Sequence, residues 1–202
     1  MSDQDSVLSF WIEPKPTTED EIAARQKIWF MGGKEIDQRI HEKFADLVER
    51  AKRGELDGWA ATARGRLALV ILLDQFTRNL HRGSPEAFAF DGKAVALSAS
   101  GYDAKLFDGL DALDHMFLSL PFSHSENLDH QKRAVRNAVH YTRGAPAAWK
   151  KMLASGVDFA RKHLDVIARF GRFPHRNAVL GRESTDEEKE YLEYLRDVGQ
   201  WL

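Results

Sequence analysis

Seven consecutive apolar residues, Leu67 to Leu73, constrain this chain more than any other feature, because the periodicity around them is helical. A stretch that short cannot span a bilayer. A helix that is apolar on every face has no side fit for water, so the segment predicts a buried helix at the centre of the core.

The flanking sequence supplies its neighbours. Ile36, Ile40, Phe44, Leu47, Val48 and Ala51 recur at steps of three and four, with Asp37, Lys43, Asp46, Glu49 and Arg50 on the opposite face, which predicts an amphipathic helix ending near Gly54. Residues 21–30 read as a helix closed by Met31-Gly32-Gly33, and further helices are expected over 85–100, 111–120, 126–143, 146–170 and 186–198. Pro85 and Pro146 suit a first helical turn, and Gly171 suits a helix end that Pro174 could not extend. Thr185 with Glu188, and Ser123 with Glu126, have capping-box spacing. No segment alternates long enough to outvote helix as a strand. The expected fold is all-α, one domain over residues 1–202, with antiparallel helix pairs joined by short loops. The pairs lack tetratricopeptide consensus spacing, so any solenoid is degenerate.

Composition narrows the chemistry. The absence of cysteine excludes disulfides, thiolate nucleophiles and thiolate metal sites, and fits a reducing, cytoplasmic compartment. A net charge of −2 provides no global field for nucleic acid or anionic lipid, so neither nucleic acid nor membrane is an expected partner, and any anion site must be local. The amino terminus, MSDQDSVLSFW, lacks the basic and apolar regions of a secretory signal.

Several clusters are candidates for a site. Asp74 and Arg78 extend the apolar stripe of Leu67 and Ile71, with His81 a turn further on. They form either a partly buried ion pair, or an anion site in which Asp74 holds Arg78 while His81 and Arg82 add donors. His124, Glu126, Asp129 and His130 contain metal-ligating and acid-base side chains, but Glu126 and Asp129 also suit a helix start, and no metal-binding spacing is complete, so neither a metal nor another cofactor is expected. His163 shares a stripe with Trp149, Leu153, Gly156, Ala160 and Ile167, and so points inward. Arg161, Asp165, Arg169 and Arg172 form a separate stripe, expected to be salt-linked and solvated. From Arg169 through Arg172, His175, Arg176 and Asn177 to Arg182 the chain concentrates four arginines without an acid. That run either binds an anion or answers acids elsewhere in the fold, with Asp74, Asp91, Glu126 and Asp165 as candidates.

Four segments, LLDQFTRNLHRG (72–83), FAFD (88–91), LPFSHSEN (120–127) and RFGRFPHRNAVLGR (169–182), resemble the domain of unknown function 924. The resemblance runs from about Val7 to Leu195, with the motifs in the expected order. It implies an all-helical, tetratricopeptide-like fold. It places the family's signature polar positions on Asp74, Gln75, Arg78, Asn79, Arg82, Asp91, His124, Ser125, Glu126, Arg172, His175, Arg176, Asn177 and Arg182, and it implies no reaction or substrate. Three classes of function remain. A binding protein would hold an anionic small molecule or peptide through an Arg/His-rich pocket. An enzyme, a hydrolase or transferase, would act on an anionic substrate with His124 or His175 and Glu126 as acid-base groups. A scaffold or oligomer would use exposed Trp11, Trp29 and Trp59.

Overall fold

The computed structural model describes residues 2–199, and among them every regular element is helical. The first helix, α1 (Asp3–Trp11), begins at a capping box in which Ser2 accepts from the Asp5 amide and Asp5 accepts from Ser2. The same device, built from Thr18 and Glu21, opens α2 (Glu19–Gln26), which continues as a π-helical turn, Lys27–Met31. Gly32 (φ 61°) and Gly33 (φ 137°) then reverse the chain, and a Cβ on Gly32 would lie 2.7 Å from Arg82 Nη2. The amphipathic helix is α3 (Lys34–Lys52).

The apolar run lies in a central rod that changes pitch along its length: α4 (Ala63–Val70), a π-helical segment over Ile71–Phe76, and α5 (Thr77–Leu80). In the π-helical segment Leu72 O accepts from both the amide and the Oγ1 of Thr77, and Asp74 O accepts from Arg78 Nη1. The remaining helices are α6 (Asp91–Asp103), α7 (Ala112–His124), α8 (Leu128–Arg143), α9 (Ala147–Phe170) and α10 (Asp186–Asp197). Gly171, at φ 69°, closes α9, and the Thr185–Glu188 capping box opens α10.

Local chemistry moves several expected boundaries. Pro85 starts only a 3₁₀ turn, Pro85–Phe88, before α6. The helix begun at Asp111 runs past Pro121 to His124, so Ser123 lies inside α7 and caps nothing. The start of α8 is capped instead by Asn127, whose side chain accepts from the Asp129 and His130 amides, while Glu126 serves another role.

The rod packs against α1, α3, α6 and α7, and α8 lies between α7 and α9. Leu67 to Leu73 and Phe76 are buried, each stabilising the fold by up to about 1.5–3 kcal/mol as water leaves an aliphatic or aromatic side chain. Trp11 joins this core edge-on to Phe76 and Phe117, and Trp29 donates from Nε1 to Trp11 O at 2.8 Å. Both tryptophans are therefore core residues rather than exposed interface anchors, and Trp59 is half-buried. No helix among the described residues is long and apolar enough to cross a membrane.

Candidate functional site

The rod, α6, the end of α7 and the turn after α9 bring their polar residues into one buried network. Asp74, fully buried on the π-helical segment, accepts from His124 Nδ1 at 2.7 Å, from Arg78 Nη1 at 3.1 Å and from the Gln75 amide. Burial alone would raise its pKa, but His124 and Arg78 hold the carboxyl down at about 2. Arg78 reaches across to Asp91 with Nη2 at 2.9 Å. Burial raises the Asp91 carboxyl against the pull of Arg78.

Arg176 completes the network from the 3₁₀ turn Pro174–Arg176. Its guanidinium is clamped between the rings of Phe88 and Phe173, at 4.6 and 4.4 Å, donates to His124 O at 2.9 Å and lies 3.5 Å from Asp91. Burial, with Arg78 nearby, lowers its pKa to about 10, so it remains charged at neutral pH. Two carboxylates and two guanidiniums thus balance inside the fold, which a buried charge requires.

Two cavities flank this network. The larger, about 550 Å³, is lined on the rod side by Gln75, Arg78, Asn79 and Arg82, and on α7 by Ser119, Ser123 and His124. The rest of its lining is mostly apolar, with Trp29, Phe30, Tyr141, Met152 and Phe159 around the small residues Ala134, Ala138, Gly156 and Ala160, and with Gln26 and Ser155 as polar members. Among the described residues no carboxylate lines it. The smaller cavity, about 390 Å³, lies against Phe88, Asp91, Ser125, Glu126, His130 and Arg176.

The His124 ring has distinct edges. Asp74 is an acceptor only, so Nδ1 carries the proton and Nε2 keeps a free lone pair. Burial, reinforced by Arg78 and opposed by Asp74, lowers the His124 pKa and keeps the ring neutral at neutral pH. Ser119 Oγ on the same helix is buried with no hydrogen-bond partner among the described residues.

The nine sequence candidates separate into three groups. Asp74, Arg78, His124 and Arg176 meet in the network. Arg82 lines the larger cavity while binding Asp37 through Nε and Nη2, both at 2.9 Å. Of the other four, Glu126, Arg172 and Asn177 tie the turn after α9 to its neighbours, and His175 stands apart. Glu126 receives Arg182 bidentately, at 2.7 and 3.0 Å, and the Phe173 amide at 2.8 Å. Arg172 and Asn177 bind Glu188, and His175 is exposed beside Phe173. His124 and Glu126 therefore face different partners, and among the described residues no group of three or more His, Cys, Asp or Glu is gathered to hold a metal. Arg172 lines neither cavity.

Acids answer the basic run after Arg169, though only partly those expected. Asp91 and Glu126 do so, while Glu187 and Glu188, from the next helix, take Arg169 and Arg172. Sequence reasoning missed Asp37, Ser119 and the apolar lining. Asp37 sits on a face that reads as plainly solvated, and the apolar lining residues have the periodicity of ordinary core.

A family model described as "Bacterial protein of unknown function (DUF924)" matches residues 7–195. A solved structure, that of a protein of unknown function from Agrobacterium tumefaciens, is similar over 95% of this chain and 97% of its own, with 33% sequence identity and a TM-score of 0.77. None of the curated proteins compared with the chain matches it.

Proposed function

Since the chain belongs to the DUF924 family of bacterial proteins, we propose that it is a binding protein for an amphipathic anionic small molecule, held in the larger cavity. The carrying observation is that the cavity's lining combines two arginines, and among the described residues no carboxylate, with a set of mostly aromatic and small residues. Arg78 and Arg82 each have guanidinium hydrogens left over from their carboxylate partners, with Nη1 of Arg82 uncommitted. A ligand carboxylate meets those donors while its apolar body lies along Tyr141, Met152 and Phe159. The residues after Arg169 serve the fold in this reading, which narrows the arginine-rich pocket to Arg78 and Arg82. The short connections between α7, α8 and α9 support antiparallel pairing in a degenerate tetratricopeptide-like arrangement, with the cavity between pairs.

Thermal denaturation with decanoate, acetate, decylammonium, phosphate and zinc tests the proposal. Decanoate at a hundredfold excess over its Kd should stabilise by about 2.7 kcal/mol, raising Tm by roughly 5–10 °C in a chain of this length. Arg82→Met should weaken that response. Equal stabilisation by decylammonium, or stabilisation by zinc with indifference to decanoate, would overturn it.

A further inference from the structure

The Asp74–His124 pair has a geometry that ligand binding alone does not require. Asp74 is placed by a π-helical turn, a deviation that recurs at functional sites, and it is spent on fixing one edge of an imidazole whose ring lines a cavity. The His124 side chain is 15% exposed, so the ring is sheltered but reachable. A fixed tautomer, a ring Nε2 with no hydrogen bond among the described residues and mostly apolar surroundings in the cavity are what a histidine base needs.

We propose that His124 is a general base, with Nε2 removing a carbon-bound proton from an amphipathic carboxylate or related carbon acid in the larger cavity. The inference rests on that cavity being a ligand site. As the C–H bond breaks, the proton passes to Nε2 and the electron pair moves into the adjoining carboxylate or carbonyl group, where the spare donors of Arg78 and Arg82 oppose the growing negative charge. Return of the proton from Nε2 to carbon closes the cycle with no co-reactant. Asp74 is a positioning residue: it holds the tautomer and stabilises the transient imidazolium. The other groups facing His124 are Arg78 on the rod, Asp91 on α6, His163 on α9, and His175 and Arg176 on the turn beyond it. Neither Ser119 nor Ser123 is hydrogen-bonded to the ring among the described residues, so the base acts on the ligand and not on a serine.

The test uses 5-nitrobenzisoxazole, a small aromatic carbon acid. A base takes its ring proton while the N–O bond breaks, giving a nitrile and a coloured phenoxide. The full chain should turn it over at least about 100-fold faster than His124→Gln, the lower range for general-base catalysis. The rate should rise with pH through one ionisation below the free imidazole range and then level off. Asp74→Asn should lower kcat with little change in KM and alter that profile, which a purely structural loss would not do. Circular dichroism verifies that each variant is folded, and His124→Gln, which retains a donor toward Asp74, keeps the test open if Asp74→Asn does not fold. Equal rates in wild type and folded His124→Gln refute the base. If decanoate still raises Tm in that case, the binding site stands alone. Turnover dependent on His124 that decanoate does not inhibit would support the base and sink the carboxylate reading instead.

Discussion

His163 should make this protein sensitive to acid by an amount that can be calculated. It is 4% exposed, its ring lies 4.1 Å from the Phe159 ring centroid and 5.0 Å from that of Phe173, and its Nδ1 has no hydrogen-bond partner among the described residues. Burial, with smaller contributions from His124, Arg176 and His175, pushes its pKa down from 6.5 to about 3. The folded state therefore binds the proton more weakly than the unfolded chain, and the stability contributed by neutral His163 is complete above pH 6.5 and lost as pH falls toward 3. From pH 7 to pH 4.5 the change spans nearly two pH units, or about 2.5 kcal/mol at 1.36 kcal/mol per unit. Asp74 barely enters this window, since its contribution declines only below about pH 4. Replacing His163 with leucine removes both Nδ1 and the titration. Urea unfolding of both proteins at pH 7 and pH 4.5 measures the difference. For a slope of about 2–3 kcal/mol per molar, the wild-type midpoint should fall by roughly 1 M more than the variant's. Parallel pH dependences, within about 0.5 kcal/mol, would refute the assignment of a buried neutral histidine.

Two further predictions concern the core. Ile71→Asp places an unpaired carboxylate at a fully buried position of the rod and should abolish cooperative folding, since several kcal/mol is a large share of a domain's stability; a normal melt and far-ultraviolet spectrum would defeat this. Gly101→Ala puts a Cβ 2.1 Å from Cζ of the buried Phe107 ring, so overpacking of about 1–3 kcal/mol should exceed the gain of up to about 1 kcal/mol in helix propensity, and a raised denaturation midpoint would show that the ring can yield.

How much of this was legible depends on the distance over which each signal acts. Thr185 and Glu188 announce α10 because a capping box is complete within four residues, and Ser2 with Asp5 offered the same signal for α1. Leu67 to Leu73 reveals a buried centre because no face is left for water, but no local pattern reveals that the helix widens at Ile71. The site was half readable. Asp74 and Arg78 are four apart and pair as spacing suggests, whereas the bond from Asp74 to His124 spans fifty residues and depends on how α7 docks on the rod. Ser123 and Glu126 misled because the spacing occurs across the end of α7, while the next helix starts two residues beyond Glu126 and takes its cap from Asn127 on the Asp129 and His130 amides. The arginines after Arg169 looked like an anion site because charge is visible in sequence and partners are not: Glu126, from a distant segment, takes Arg182, and Glu188, from the next helix, takes Arg172.

The wide turn of the rod also fixes a phase relation between its two ends. Each residue of an α-helix advances the azimuth by about 100° and each residue of a π-helix by less, so over Ile71–Phe76 the wide geometry absorbs about one residue's worth of rotation. Straightening the segment to α pitch at unchanged length would turn Arg78, Asn79 and Arg82 out of the cavity wall together while Leu67, Ala68 and Leu69 kept their places in the core. In this part of the chain pitch is a functional coordinate: substitutions act one side chain at a time, but a change of pitch would turn the whole cavity wall against the scaffold that carries it.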